Sequence, residues 1–204
     1  MKGQPLLAAV LIALAAPAAA AAQTWTPEVS IAAGTGYVFR YNDEGYGHHW
    51  NAGGGAALVH RSGFAIEFEA DRTFGVEPKP AACGIVGVTC VGAGRDGPSS
   101  ATVTSVGIQY RLKGERVRPY FTAALGVLWT TSLSSITRVT GSVATISEFA
   151  SSDYGFGPDL GAGVRIALTK DLAVSPEIRW LEAPWMSRHN LAVTRLTVRT
   201  SYGW

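Results

Sequence analysis

The chain has 204 residues and a formal net charge of +2, with 24 Gly, 10 Pro and only 2 Cys. A near-neutral chain without a basic run lacks the phosphate-neutralising surface of a nucleic-acid binder. Beyond residue 23 no apolar run approaches the ~18 residues of a spanning helix, so a membrane protein made from this chain must be a closed β-barrel.

Met1-Lys2-Gly3-Gln4 carries one positive charge and leads into an apolar run from Leu6 to Ala16, Pro17 and alanines from Ala18 to Ala22. A charged start, an apolar centre and a small-residue exit read as a cleavable secretory signal peptide over residues 1–22. Residues 23–204 then form one domain. In an exported chain Cys83 and Cys90, in a Gly/Pro-rich stretch, are expected to form a disulfide. By chain entropy such a small loop is worth roughly 2.5 kcal/mol.

Eight strands are predicted. The first, Glu28–Arg40, alternates Val29, Ile31, Ala33, Tyr37 and Phe39 with Ser30, Ala32, Gly34 and Gly36. A polar loop, Tyr41–His48, leads to a second strand over about 49–60, whose facing the glycines Gly53 to Gly55 leave open. After the tight turn at Arg61–Gly63, the third strand, Phe64–Phe74, sets Phe64, Ile66, Phe68 and Ala70 against Glu67, Glu69 and Asp71. A long segment from Gly75 to about Ser99 follows.

The fourth strand, Ser100–Leu112, alternates Thr104, Val106, Ile108 and Tyr110 with Ser105, Gly107, Gln109 and Arg111. The fifth, Val117–Trp129, sets Phe121, Leu125, Val127 and Trp129 against Arg118, Tyr120, Thr122 and Gly126. The Ser/Thr-rich stretch from Thr130 to Ser151 reads as a long loop. The sixth strand, Ser152–Leu168, opposes Phe156, Leu160, Val164 and Ile166 to Gly155, Gly157, Asp159, Gly161, Gly163 and Arg165. The seventh, Leu172–Trp180, opposes Val174, Ile178 and Trp180 to Ser175, Glu177 and Arg179, and Leu181–Asn190 reads as a loop. The last stretch, Leu191–Trp204, has Leu196, Val198, Tyr202 and Trp204 on one face and Arg195, Thr197, Arg199 and Ser201 on the other. Pro158 and Pro176 fall inside strands of a barrel with no free edge, so bulges or irregular pairing are expected there.

Short and long connections alternate, and aromatics gather near the strand ends, as in an outer-membrane barrel with interfacial girdles. Alternation alone leaves open which face points inward, and a soluble barrel would bury its apolar face. Volume and charge decide: the bulky face is too large for an eight-strand interior, whereas small residues with paired charges fit. The expected fold is all-β, an eight-stranded antiparallel up-and-down transmembrane β-barrel. Its lumen ion network is expected to comprise Glu67, Glu69, Asp71, Asp159 and Glu177 with Arg111, Arg118, Arg165, Arg179, Arg195 and Arg199.

The chain resembles the small outer-membrane β-barrel family, which includes the membrane domain of outer-membrane protein A. The resemblance rests on Arg118-Pro119-Tyr120 leading into Ala124-Leu125-Gly126-Val127, on Gly155-Phe156-Gly157 through Gly161-Ala162-Gly163-Val164, and on Leu172-Ala173-Val174 with Glu177-Ile178-Arg179-Trp180. It implies residence in the outer membrane of a Gram-negative-type bacterium, among outer-membrane lipids and lipopolysaccharide. It also implies that Leu196, Val198, Tyr202 and Trp204 form the assembly signal read by the outer-membrane insertion machinery; Trp204 stands where the family usually has Phe.

No cofactor is implied. The His-x-Ser of the lipid A deacylases is absent from the corresponding Ile178-Arg179-Trp180-Leu181, leaving Ser187, His189 and Glu182 as a weaker hydrolase grouping. His48 and His49 with Asp43 and Glu44 form a metal candidate, weakened because adjacent histidines in a strand face opposite ways. The glycines from Gly155 to Gly163 lack the strand-to-helix junction of a dinucleotide site. The expected role is structural or surface-interacting, with a narrow channel or carrier for small or apolar solutes and a lipid A-modifying enzyme as alternatives.

Overall fold

A computed structural model describes residues 24–40, 48–76, 79–80, 89–91, 94–184 and 191–204. The signal-peptide segment 1–22, Cys83 of the expected disulfide, Asp43, Glu44, Ser187 and His189 lie outside the described residues.

Eight long strands make the wall: β1 Trp25–Arg40, β2 His48–His60, β3 Phe64–Phe74, β4 Arg95–Arg111, β5 Val117–Thr140, β6 Val143–Ala167, β7 Leu172–Ala183 and β8 Leu191–Gly203. Each pairs antiparallel with its neighbour in sequence. The ring closes where β1 pairs β8, from Glu28 opposite Gly203 to Arg40 opposite Leu191. Closure gives both edges of the sheet a partner, the condition for crossing lipid with strands.

The alternation resolves as expected. Ile31, Phe68, Val106, Leu125, Phe156, Leu160, Ile178 and Val198 point outward and are exposed, while Glu67, Glu69, Asp159, Glu177, Arg179 and Arg195 are buried in the lumen. Ile31 and Leu125 keep 71% and 74% of their surface uncovered by protein, part of an apolar outer face of the kind that faces lipid in membrane barrels. Aromatics ring the wall at two heights. Trp50, Phe74, Trp129 and Tyr154 stand toward the long-loop end, and Tyr110, Phe121, Tyr202 and Trp204 toward the short-turn end.

The largest departure from the sequence reading is the stretch from Thr130 to Ser151, which is no loop. There β5 and β6 continue in register beyond the Trp129–Tyr154 pair to Thr140 opposite Val143. Thr, Val and Ile suit a pleated surface even where Ser is frequent, and the two-residue turn at Gly141-Ser142 has Gly141 at φ 61°, as favoured hairpin turns require at that position. The hairpin adds roughly 35 Å of extended chain beyond the girdle at ~3.3 Å per residue. Its β5 side pairs with β4 only as far as Gly97 opposite Leu133. On the β6 side, Thr89–Val91 runs parallel to Val143–Thr145.

Smaller corrections follow the same logic. β4 begins at Arg95 rather than Ser100, with a bulge between Pro98 and Ser100, and Arg95 and Asp96 pair with Lys79–Pro80. β7 runs to Ala183. The prolines distort pairing without shifting register. Pro158 pairs with Leu125 just beyond the end of the β6–β7 ladder at Asp159, and the same ladder lapses at Val164 and Arg165, beside Pro176. Each missing N–H therefore meets no ladder partner, and no bulge forms in either place.

Candidate functional site

The lumen is filled in layers, each set by which lumen-facing positions carry large side chains and which carry glycine. Across three neighbouring strands Tyr120 pairs with Gly163 and Gly163 with Glu177. The glycine leaves the gap through which the Tyr120 hydroxyl donates to Glu177 Oε2 at 2.6 Å. A Cβ on Gly163 would lie 2.5 Å from the Tyr120 ring. Gly161 gives way in the same manner to Arg179, and Gly53 to Asp71.

The middle layer is an ionic belt. Glu69, on β3, accepts from Arg179 on β7 and from Arg195 and Arg199 on β8. β3 stands opposite β7 in an eight-strand ring, so these bonds span the lumen. Arg195 also meets Asp71, and its Nη2 donates to Asp159 at 2.9 Å. Arg179 reaches Glu67 at 3.0 Å and Asp159 at 3.4 Å, and Arg199 donates to Glu177 at 3.1 Å. Arg179 and Arg195 face each other directly in the β7–β8 register, a destabilising pair of like charges unless carboxylates intervene. Glu69 and Asp159 each contact both and supply that bridge.

Toward the short turns sits a second, separate group. Arg111 grips Glu28 with both terminal nitrogens at 3.1 Å, and Arg165 donates to Glu28 at 2.7 Å and to Ser201 at 2.6 Å. Gln109 links the two groups, donating to Glu67 at 3.1 Å and accepting from Arg111 at 2.6 Å. Between them remains a cavity of about 10 Å³, room for about one water.

Toward the long loops the lumen turns apolar: Val38, Val103, Leu128, Leu181, Leu191 and Val193 are buried against one another. Leu181 fills space left by Gly126, where a Cβ would lie 2.1 Å from Leu181 Cδ1.

Of the expected network, Glu67, Glu69, Asp71, Asp159, Glu177, Arg179, Arg195 and Arg199 come together in the belt, and Arg111 and Arg165 in the lower group. Arg118 does not join. It precedes Pro119 at the start of β5, below the wall's last paired rung with β4, and its Nε donates at 2.6 Å to the Gly114 carbonyl of the adjacent turn. Glu28 was not among the expected residues; it shares the parity of Ser30 and Ala32, and that parity was the signal that would have found it. The apolar layer lies outside the sequence expectation, which places bulky apolar residues outward.

His48 is exposed and His49 buried in the lumen, so the pair does not converge. Among the described residues no group of three or more His, Cys, Asp or Glu is placed to hold a metal. Glu182 lies on β7 apart from the belt, and Gly155 to Gly163 run along β6 as spacers rather than into a helix. Leu196, Val198, Tyr202 and Trp204 all face outward on or just after β8, with the Tyr202 and Trp204 rings stacked at 6.2 Å.

Comparison with solved structures finds the same architecture. Neisserial surface protein A is 12% identical with a TM-score of 0.62, over 87% of this chain and 97% of that one. Ail, the attachment invasion locus protein of Yersinia pestis, solved with the heparin analogue sucrose octasulfate, is 10% identical with a TM-score of 0.55, over 89% of this chain and 99% of that one. No curated protein matches by sequence. The family described as the outer membrane protein beta-barrel domain matches residues 6–193. With its closed ring of eight strands, lipid-ready wall and filled lumen, the chain belongs to this outer-membrane β-barrel family.

Proposed function

We propose that the protein is a non-conducting outer-membrane barrel whose function lies at its long-loop end, in contact with lipopolysaccharide and partners outside the cell. The observation that carries this reading is the set of ion pairs from Glu69 on β3 to Arg179 on β7 and Arg195 and Arg199 on β8. Side chains tied across the bore leave no continuous aqueous path, and the apolar layer above them adds a second obstruction.

The β5–β6 hairpin supports the surface role. It carries Ile136, Val139, Val143 and Phe149 exposed beyond the girdle, on a scaffold too long to be needed for crossing the membrane. A barrel fixed by its lumen and displaying a rigid hairpin presents that hairpin in one orientation, which reduces the ordering cost of binding. In the same reading, Leu196, Val198, Tyr202 and Trp204 are the outward edge read by the insertion machinery. Reconstitution in planar bilayers tests the central point. The expected record is flat current at all applied voltages, whereas reproducible single-channel steps from heat-modifiable, folded protein would put a narrow channel in its place.

A further inference from the structure

We infer that the short-turn mouth of the barrel is a binding site for a phosphate-bearing ligand. This mouth is a concave space of about 710 Å³ whose floor is the Glu28–Arg111–Arg165 group. Its rim gathers cations at three separate turns: Arg61 between β2 and β3, Lys113 between β4 and β5 with Arg118 at the start of β5, and Lys170 between β6 and β7.

In the lumen every buried guanidinium has a carboxylate. On the rim none of these four cations has an ion-pair partner among the described residues; the carboxylates lining the mouth are Asp171 on the rim and Glu28 in the floor, while Glu115, in the turn that carries Lys113, does not line it. Arg118 is held by its Nε bond to the Gly114 carbonyl, which leaves both terminal nitrogens to face a ligand. Arg111 and Arg165, though paired, share a single carboxylate and keep the floor electropositive.

Unpaired like charges converging on a concavity raise its potential and draw in anions. The arrangement favours phosphate over carboxylate. A planar carboxylate is satisfied by one guanidinium fork, whereas a tetrahedral oxyanion of higher charge takes donors from several directions. Three turns spaced around the mouth supply such directions. The phosphate would come either from a soluble solute on the short-turn side or from a phospholipid headgroup beside Trp204, which lines both the mouth and an apolar groove on the outer wall with Val29, Leu58, Ile66 and Phe68.

The test uses the full barrel in dodecylmaltoside micelles, titrated calorimetrically with inorganic triphosphate at low salt. Saturable binding that weakens with salt is expected. K113Q/R118Q/K170Q should lose about tenfold in affinity or more, while R138Q, on the far hairpin, leaves it unchanged. Heat modifiability verifies that each variant is folded. Native mass spectrometry from phosphatidylcholine nanodiscs containing phosphatidylglycerol separates the sources. Phosphatidylglycerol retained by the wild type and lost from the triple variant assigns the mouth to a lipid headgroup, and equal retention alongside intact triphosphate binding assigns it to a soluble phosphate. Absence of saturable triphosphate binding, or binding that the folded triple variant keeps, overturns the inference.

Discussion

The two upper layers of the lumen block the same bore by opposite means. In the belt, five carboxylates meet three guanidiniums, so no acid has a private partner and each Arg is shared. In the apolar layer Leu128, Leu181, Val38 and Val193 make no directional bond at all. Ion pairs in a dry interior are sensitive to the loss of one member, because the remaining charge is stranded. Aliphatic packing is forgiving, because neighbours partly collapse into the gap. One layer therefore specifies how the strands are aligned around the ring, and the other seals whatever alignment results.

This contrast is open to direct attack. The largest effect is expected from R195A, which strands Asp71, leaves Asp159 with Arg179 alone and removes one of three donors to Glu69; about 3–5 kcal/mol of stability should be lost in urea unfolding of the micelle-bound protein. L181A should cost about 2–4 kcal/mol, with local collapse setting the value. A loss from L181A well above that from R195A would reverse the roles assigned to the two layers. Y120F removes a buried hydrogen bond to a charged acceptor and should cost about 1.5–3 kcal/mol by the same assay. R118A, outside both layers, should stay within about 0.5 kcal/mol of wild type. Conductance sharpens the comparison further: L128A/L181A should remain silent in planar bilayers because the belt beneath still spans the bore.

Most of the wall is legible in the sequence. Phe68 against Glu69, Ile178 against Arg179 and Val198 against Arg199 each assign a face by period two, and the volume argument orients all of them together. Two kinds of residue escaped that rule. Leu128 and Val193 share the parity of Gly126 and Arg195, so their facing is readable, but the expectation that bulk belongs outside hides it; Leu181 shares the parity of Arg179 but falls in a stretch that reads as a loop. Arg118 has lumenal parity yet sits below the last β4–β5 rung, with β6 its one remaining strand neighbour, and alternation carries no information about height. The hairpin from Thr130 to Ser151 reads as a loop for a third reason: Ser and Thr are abundant in loops, and they mask the β-branched residues and the Gly at the tip that build the hairpin.

Glu69 lies more than 100 residues from each guanidinium that holds it, at separations of 110, 126 and 130 positions. No partial ring of consecutive strands starting from the amino-terminal side satisfies this residue before β7 and β8 arrive. Until then an incomplete sheet would carry Glu69 and Asp71 without a cation, and Glu67 with only Gln109 of β4, toward the bilayer interior, at a penalty of several kcal/mol per unpaired ion. Insertion is thereby made all-or-none: the charges that lock the finished molecule also forbid its halfway forms.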